Sequence, residues 1–222
     1  MNFYELLNTN RNQFSALTDP PLNASNSIPI SLSSDSDEFR GLSKLEWDQA
    51  IENKIASAGA VAAVGGYLEK RSIYEDKPNF ADEEERNIHI GVDIFMPAET
   101  IIHAPLDGSV HCFANRNQEG DYGPVIILRH EFNGVVFHTL YGHLSKSSLV
   151  GKSVGQRVSA GSPLCGIGPR PINGDWPPHL HFQVIQDLQG LDDNYPGVCR
   201  ASDLDFYRSN CPDANLIIFA GA

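Results

Sequence analysis

All eight histidines of the chain lie between His89 and His181. In the run His179-Leu180-His181, a strand would turn both imidazoles to one face, because side chains at i and i+2 point the same way. Their Cα atoms would stand about 7 Å apart, close enough to address one site. The run His89-Ile90-Gly91-Val92-Asp93 has an even spacing of the same kind, with Gly91 midway between the two, where no side chain crowds the backbone. Imidazole plus carboxylate is a common partial ligand set for zinc. Tyr141-Gly142-His143-Leu144-Ser145 closes a strand, which would put His143 on the rim of a sheet. Each run alone also fits a core or loop histidine. Taken together, His89, Asp93 and one of His179 and His181 make three ligands. A catalytic zinc keeps three protein ligands and leaves its fourth position to water. The two remaining histidines are then available for proton transfer and charge stabilisation, so the chemistry is metal-activated hydrolysis.

The elements that must position these residues are mostly strands. Short runs rich in Val, Ile and Phe, bounded by Gly, Pro, Asn and Asp, predict strands over 88–96, 100–104, 108–114, 124–131, 134–141, 154–158, 163–167 and 179–186. Asn133-Gly134 between two apolar runs predicts a tight hairpin. No helical pattern alternates with the strands, so a parallel α/β sheet is not expected. The reading is an all-β core, mostly antiparallel, with a helical N-terminal extension and helix only before residue 60 and after residue 200. Residues 23–37 read as a polar linker. Ser43 with Glu46 forms a capping box, Trp47, Ile51 and Ile55 share one face, and Gly59 is a natural stop, which predicts one amphipathic helix. That helix needs a partner surface, because an isolated one of this length is marginal in water. The acidic run Asp82 to Glu85 reads as a solvated turn.

Composition narrows the function classes. The chain has 222 residues, 41% hydrophobic and 20% charged, which is ordinary for a globular protein. Its 16 Lys and Arg against 28 Asp and Glu give a net charge of −12. That balance argues against nucleic acid and against an anionic membrane surface as partners. No apolar run is long enough to span a bilayer. Residues 1–12 lack a basic segment followed by an apolar one, so the expectation is no export signal and a cytoplasmic location. Cys112, Cys165, Cys199 and Cys211 form no C-x-x-C pair and read as reduced thiols, a Cys199–Cys211 disulfide being the exception if the protein is exported.

The three motifs in this order, His-x-x-x-Asp, Tyr-Gly-His-Leu-Ser and Pro-His-Leu-His-Phe, resemble those of the lysostaphin-like zinc metallopeptidases. Ala104 to Val110, Tyr122 to His130, and Gly155 to Gly168 are similar to the stretches between them, so the resemblance covers roughly 88–186. It implies the family's β fold, of the duplicated hybrid motif type. It also implies Zn2+ bound by His89, Asp93 and His181, His179 as general base, and His143 holding the attacking water and the developing oxyanion. The implied substrates are peptide bonds of peptidoglycan, often at glycine or D-alanine. On this reading residues 1–60 are an N-terminal extension, 61–189 the metallopeptidase-like domain, and 190–222 a C-terminal extension packing on it. Trp176-Pro177-Pro178 gives a stiffer approach to His179 than the family's usual one. Tyr67 to Tyr74, Asn173 to Trp176 and the tail resemble a subgroup fused to kinase-like and class III aminotransferase-like regions.

Other readings have less support. Ala104-Pro105-Leu106-Asp107-Gly108 is similar to biotinyl and lipoyl carriers, but no Lys stands at a hairpin tip. His-x-Gly-x-Asp also occurs in sugar-phosphotransferase carriers, which His-Leu-His after Pro-Pro does not fit. A non-catalytic scaffold or regulator on the peptidase fold would usually have lost a ligand, and all five positions are present. Tyr122 reads either as a site-rim hydrogen-bond donor or as a packed strand-edge residue. His103, His111, His130 and His138 read as structural, with His103 or His130 a possible neighbour of the ligands. Oligomeric state is not legible in the sequence.

Overall fold

The computed structural model describes residues 2–36, 38–73 and 84–220. Its strands are β1 (Ser27–Pro29), β2 (Ala62–Gly65), β3 (Glu69–Lys70), β4 (Ile88–His89), β5 (Val92–Phe95), β6 (Ile101–His103), β7 (Gly108–Arg116), β8 (Gly123–Phe132), β9 (Val135–Gly142), β10 (Arg157–Val158), β11 (Pro163–Gly166), β12 (His179–Ile185) and β13 (Val198–Cys199). The α-helices are α1 (Phe3–Thr9), α2 (Lys44–Ser57), α3 (Leu204–Asn210) and α4 (Asn215–Ile218). Between residues 88 and 186 the helical content is one 3-10 turn, Lys146–Leu149.

The main sheet runs β1-β2-β5-β12-β9-β8-β7-β10, antiparallel except for the parallel β1–β2 pair. β6 pairs with β11, and β4 lies between β3 and β13 in a small third sheet. Asn133 and Gly134 take φ of 50° and 77°, the two left-handed positions of a two-residue hairpin turn, and so fix the β8–β9 register. β12 is buried on both faces. Its Leu180, Phe182 and Val184 enter the larger core cluster, while His179, His181 and Gln183 point the other way, into the site.

Two expectations are corrected. The β texture does not begin at residue 88. β1 lies inside the stretch read as a polar linker, and β1 and β2 extend the main sheet beyond β5. Nor do His89 and Asp93 share one strand. The chain leaves the small sheet after His89 and enters the main sheet at Val92, so the two residues belong to β4 and β5 in different sheets.

α2 begins at the Ser43–Glu46 capping box. Its Ile51, with Trp47 and Ile55 beside it, packs on Ile30, Leu32, Ala63 and Phe95, so the helix lies against the sheet. Glu84 accepts hydrogen bonds from Ser202 N and Oγ at 3.1 and 2.7 Å, while Asp82 and Glu83 of the same acidic run lie outside the described residues.

Candidate metal centre

Strand register assembles the site. His181 of β12 stands opposite Asp93 of β5 on one side and Gly142 of β9 on the other. His143 follows Gly142 directly, at φ 61°, a left-handed conformation that is strained for a non-glycine residue. Its amide is held by Tyr122 O at 2.8 Å. His179 stands opposite Phe95 and stacks on its ring at 4.8 Å. His89 comes in from the small sheet, between Glu69 and Val198.

Three side-chain atoms converge. His89 Nε2 is 2.9 Å from His181 Nδ1 and 3.3 Å from Asp93 Oδ1, and His181 Nδ1 is 3.2 Å from that oxygen. All three residues are buried. Each has its other polar atom tied off. His89 Nδ1 faces the Gly66 carbonyl at 3.0 Å, so that nitrogen carries the proton and Nε2 presents a lone pair. His181 Nε2 faces Gln183 Oε1 at 3.0 Å, so Nδ1 presents a lone pair as well. Arg71 Nη1 donates to Asp93 Oδ2 at 2.7 Å, which leaves Oδ1 for the cluster. Three acceptors thus meet with no proton between them, an arrangement that a cation would stabilise. The fit to a tetrahedral ion is good: ligands about 2.0–2.2 Å from zinc stand about 3.3–3.5 Å from one another.

The electrostatics agree. Burial, then Arg71, lowers the His89 pKa to about 4, so the ring is neutral near neutral pH. Burial opposes a charge on Asp93, but the Arg71 guanidinium bonded to Oδ2 favours it, and the carboxyl is held well below the usual range. Burial also lowers the pKa of His179 and, more strongly, of His143. His179 Nδ1 donates to Pro177 O at 2.7 Å and His143 Nδ1 to Asn173 O at 2.8 Å, so both present a bare Nε2. Their ring centroids are 4.3 Å apart, and His179 Nε2 is 3.6 Å from Asp93 Oδ1.

All five residues singled out in the sequence line one cleft of about 280 Å3, together with Trp47 of α2, Arg71 and Trp176. Residues 87–193 match the family model described as Peptidase family M23. This stretch is similar to an M23 peptidase domain. Solved structures similar to the chain include a zinc-containing peptidase from Vibrio cholerae, at 28% identity over 44% of this chain and 27% of that one, TM-score 0.34. A Pseudomonas aeruginosa structure assigned to peptidase M23 shares 24% identity over 59% of this chain and 43% of that one, TM-score 0.39. The catalytic domain of the antimicrobial peptidase lysostaphin from Staphylococcus simulans shares 24% over 73% and 98%, TM-score 0.43. The chain thus spans less than half the length of the Vibrio and Pseudomonas proteins. No curated protein matches the sequence significantly.

The other histidines of the M23-like domain lie apart from the cluster. His130 is bound between Asp107 O at 2.9 Å and Thr139 Oγ1 at 2.8 Å. His111 approaches Asp192 at 3.4 Å and packs on His138. Tyr122 packs its ring on His143 and His181, and its hydroxyl donates to Tyr195 O at 3.0 Å. The four cysteines are free thiols. Arg71 and Gln183 went unread in the sequence. Gln183 continues the even spacing of His179 and His181, a signal that could have found it. Arg71 stands outside all three motifs and reaches Asp93 only through the pairing of β3 with β4.

Proposed function

We propose that the chain is a zinc-dependent metalloendopeptidase that hydrolyses peptide bonds of peptidoglycan or of related peptides containing glycine or D-alanine. His89 Nε2, Asp93 Oδ1 and His181 Nδ1 would hold the ion. The observation that carries this reading is the convergence of three buried acceptor atoms, each with its other polar atom already bonded. Bound there, zinc supplies a Lewis acid that polarises a carbonyl and lowers the pKa of water toward about 7.

The chain's own residues supply the rest. His179 is neutral, with its Nδ1 proton fixed on Pro177 O, so Nε2 is the atom that takes a proton from water. Asp93 beside it stabilises the imidazolium so formed. His143, its ring beside that of His179, also presents Nε2 as an acceptor and orients the same water. Donation from His143 to an oxyanion would need a proton on Nε2. The neutral ring, with its proton on Asn173 O, has none there, so holding the water is the part of the expected role that fits.

The test is zinc stoichiometry and hydrolysis of purified muropeptides and of glycine and D-alanine peptides. The wild type should bind one equivalent of zinc. His181→Ala should lose zinc, whereas His179→Ala should keep it and lose turnover. No zinc uptake by the wild type, or the opposite pattern in the two variants, would overturn the assignment.

A further inference from the structure

The ring of His181 can face the cluster in a metal-binding state only if its proton sits on Nε2. Gln183 decides that. The side chain is fully buried, two residues along β12 and on the same face. Its Nε2 donates to Pro196 O at 3.3 Å and to Cys211 Sγ at 3.3 Å. A carbonyl can only accept, so the amide cannot flip without setting two acceptors against each other. Oε1 is therefore directed at His181 Nε2, 3.0 Å away.

Both outer contacts lie beyond residue 193, where the M23 match ends. Their segment is also anchored away from the metal centre. Tyr67 Oη donates to Cys211 O at 2.7 Å. Asn210 Nδ2 donates to Asp187 O at 2.7 Å, and Asn210 Oδ1 accepts from Asp187 N at 3.0 Å, which ties the end of α3 to the end of β12. Cys211 is fully buried and unpaired, packed beside Tyr195.

We propose that Gln183 is a positioning residue of the metal centre, and that the segment after the M23 match sets its orientation through Pro196 and Cys211, and with it the affinity for the ion. This rests on the zinc reading above. It assigns the C-terminal segment a part in metal binding rather than only in packing.

The experiment has two arms. In the first, long-range 1H–15N correlation on the metal-free wild type should show His181 protonated at Nε2. Finding the proton on Nδ1 overturns the proposal without need of any variant. In the second, zinc affinity is measured by competition with a chelator, with circular dichroism as the check on folding. Gln183→Met keeps the volume and removes the acceptor, and should weaken zinc by about 10–100-fold. Gln183→Glu restores an acceptor to His181 but sets its second oxygen against Pro196 O, so it should recover only part of that loss. Cys211→Ala should weaken zinc several-fold. Wild-type affinity in folded Gln183→Met overturns the role of Gln183, and wild-type affinity in Cys211→Ala overturns that of the C-terminal segment. Failure of the wild type itself to bind zinc would instead remove the zinc reading.

Discussion

Histidines in this chain serve two ends, and the partner at Nδ1 or Nε2 separates them. In the cleft, one nitrogen of each of His89, His143, His179 and His181 is spent on a fixed acceptor and the other is left bare. His130 has both nitrogens within the fold bonded, to Asp107 O and Thr139 Oγ1, so it has nothing left to offer a ligand. Burial pushes its pKa down to about 4. An unfolded histidine titrates near about 6.5, so between the two values the unfolded state binds the extra proton. Stability from this group is full above the unfolded value and is lost as pH falls toward the folded one. At about pH 5 the loss due to His130 should be roughly 2 kcal/mol. Urea unfolding of metal-free wild type and His130→Gln checks this. The stability gap between them should change by about that amount between about pH 7 and about pH 5. A gap that is the same at both would show that the buried ring does not take part in the acid limb.

At the level of elements, the site depends on a change of sheet. The chain crosses from β4 to β5 within Ile90 and Gly91, and the crossing brings His89 back over Asp93. Gly91 is needed for close approach: a Cβ there would stand 2.6 Å from His181 Cε1, 2.7 Å from His181 Nε2 and 3.0 Å from Phe182 O. The His181 ring is held by Gln183 and cannot swing clear without losing that bond. Gly91→Ala should lower stability by about 1–3 kcal/mol and weaken zinc at the same time. Thermal unfolding and chelator competition would show both, and a variant like wild type in either would contradict the steric argument. The sequence carried the residues of the site but not this crossing, because an even spacing fits one continuous strand as well as two strands in two sheets. β7, β8, β9 and β12 were legible as apolar runs ended by turn residues, and α2 through its capping box, since those signals are local. β1, β2 and β3 have two to four residues each and no alternation. They form strands by pairing with β2, β5 and β4, which propensity does not record.

For the whole molecule the question is whether the M23-like domain has a core of its own. Phe3, Leu6, Leu7, Phe14, Leu17 and Leu22 sit in the same hydrophobic cluster as Val92, Leu180 and Phe182 of the domain and Ile217 of α4. Phe3 packs on Phe137 at 5.4 Å and Phe14 on Phe132 at 5.7 Å, so the first turns of the chain cover the β8–β9 hairpin. β1 adds a strand to the main sheet, and α2 lays Trp47 along the cleft. Residues before 87 and after 193 therefore close a core that the matched stretch leaves open, and the chain should unfold as one unit. Leu7 is the sharpest probe: it is fully buried, and it lies 80 residues before the match begins. Leu7→Ala removes a side chain from a packed interior, which typically costs about 2–5 kcal/mol through lost transfer energy and a residual cavity. Leu180→Ala, at the second residue of β12, should cost a similar amount. Urea melts followed by far-ultraviolet dichroism and by tryptophan fluorescence should coincide for both variants and shift together relative to wild type. If Leu7→Ala instead split the transition, or left the main one unmoved, the N-terminal segment would be an attachment to the peptidase core and not part of it.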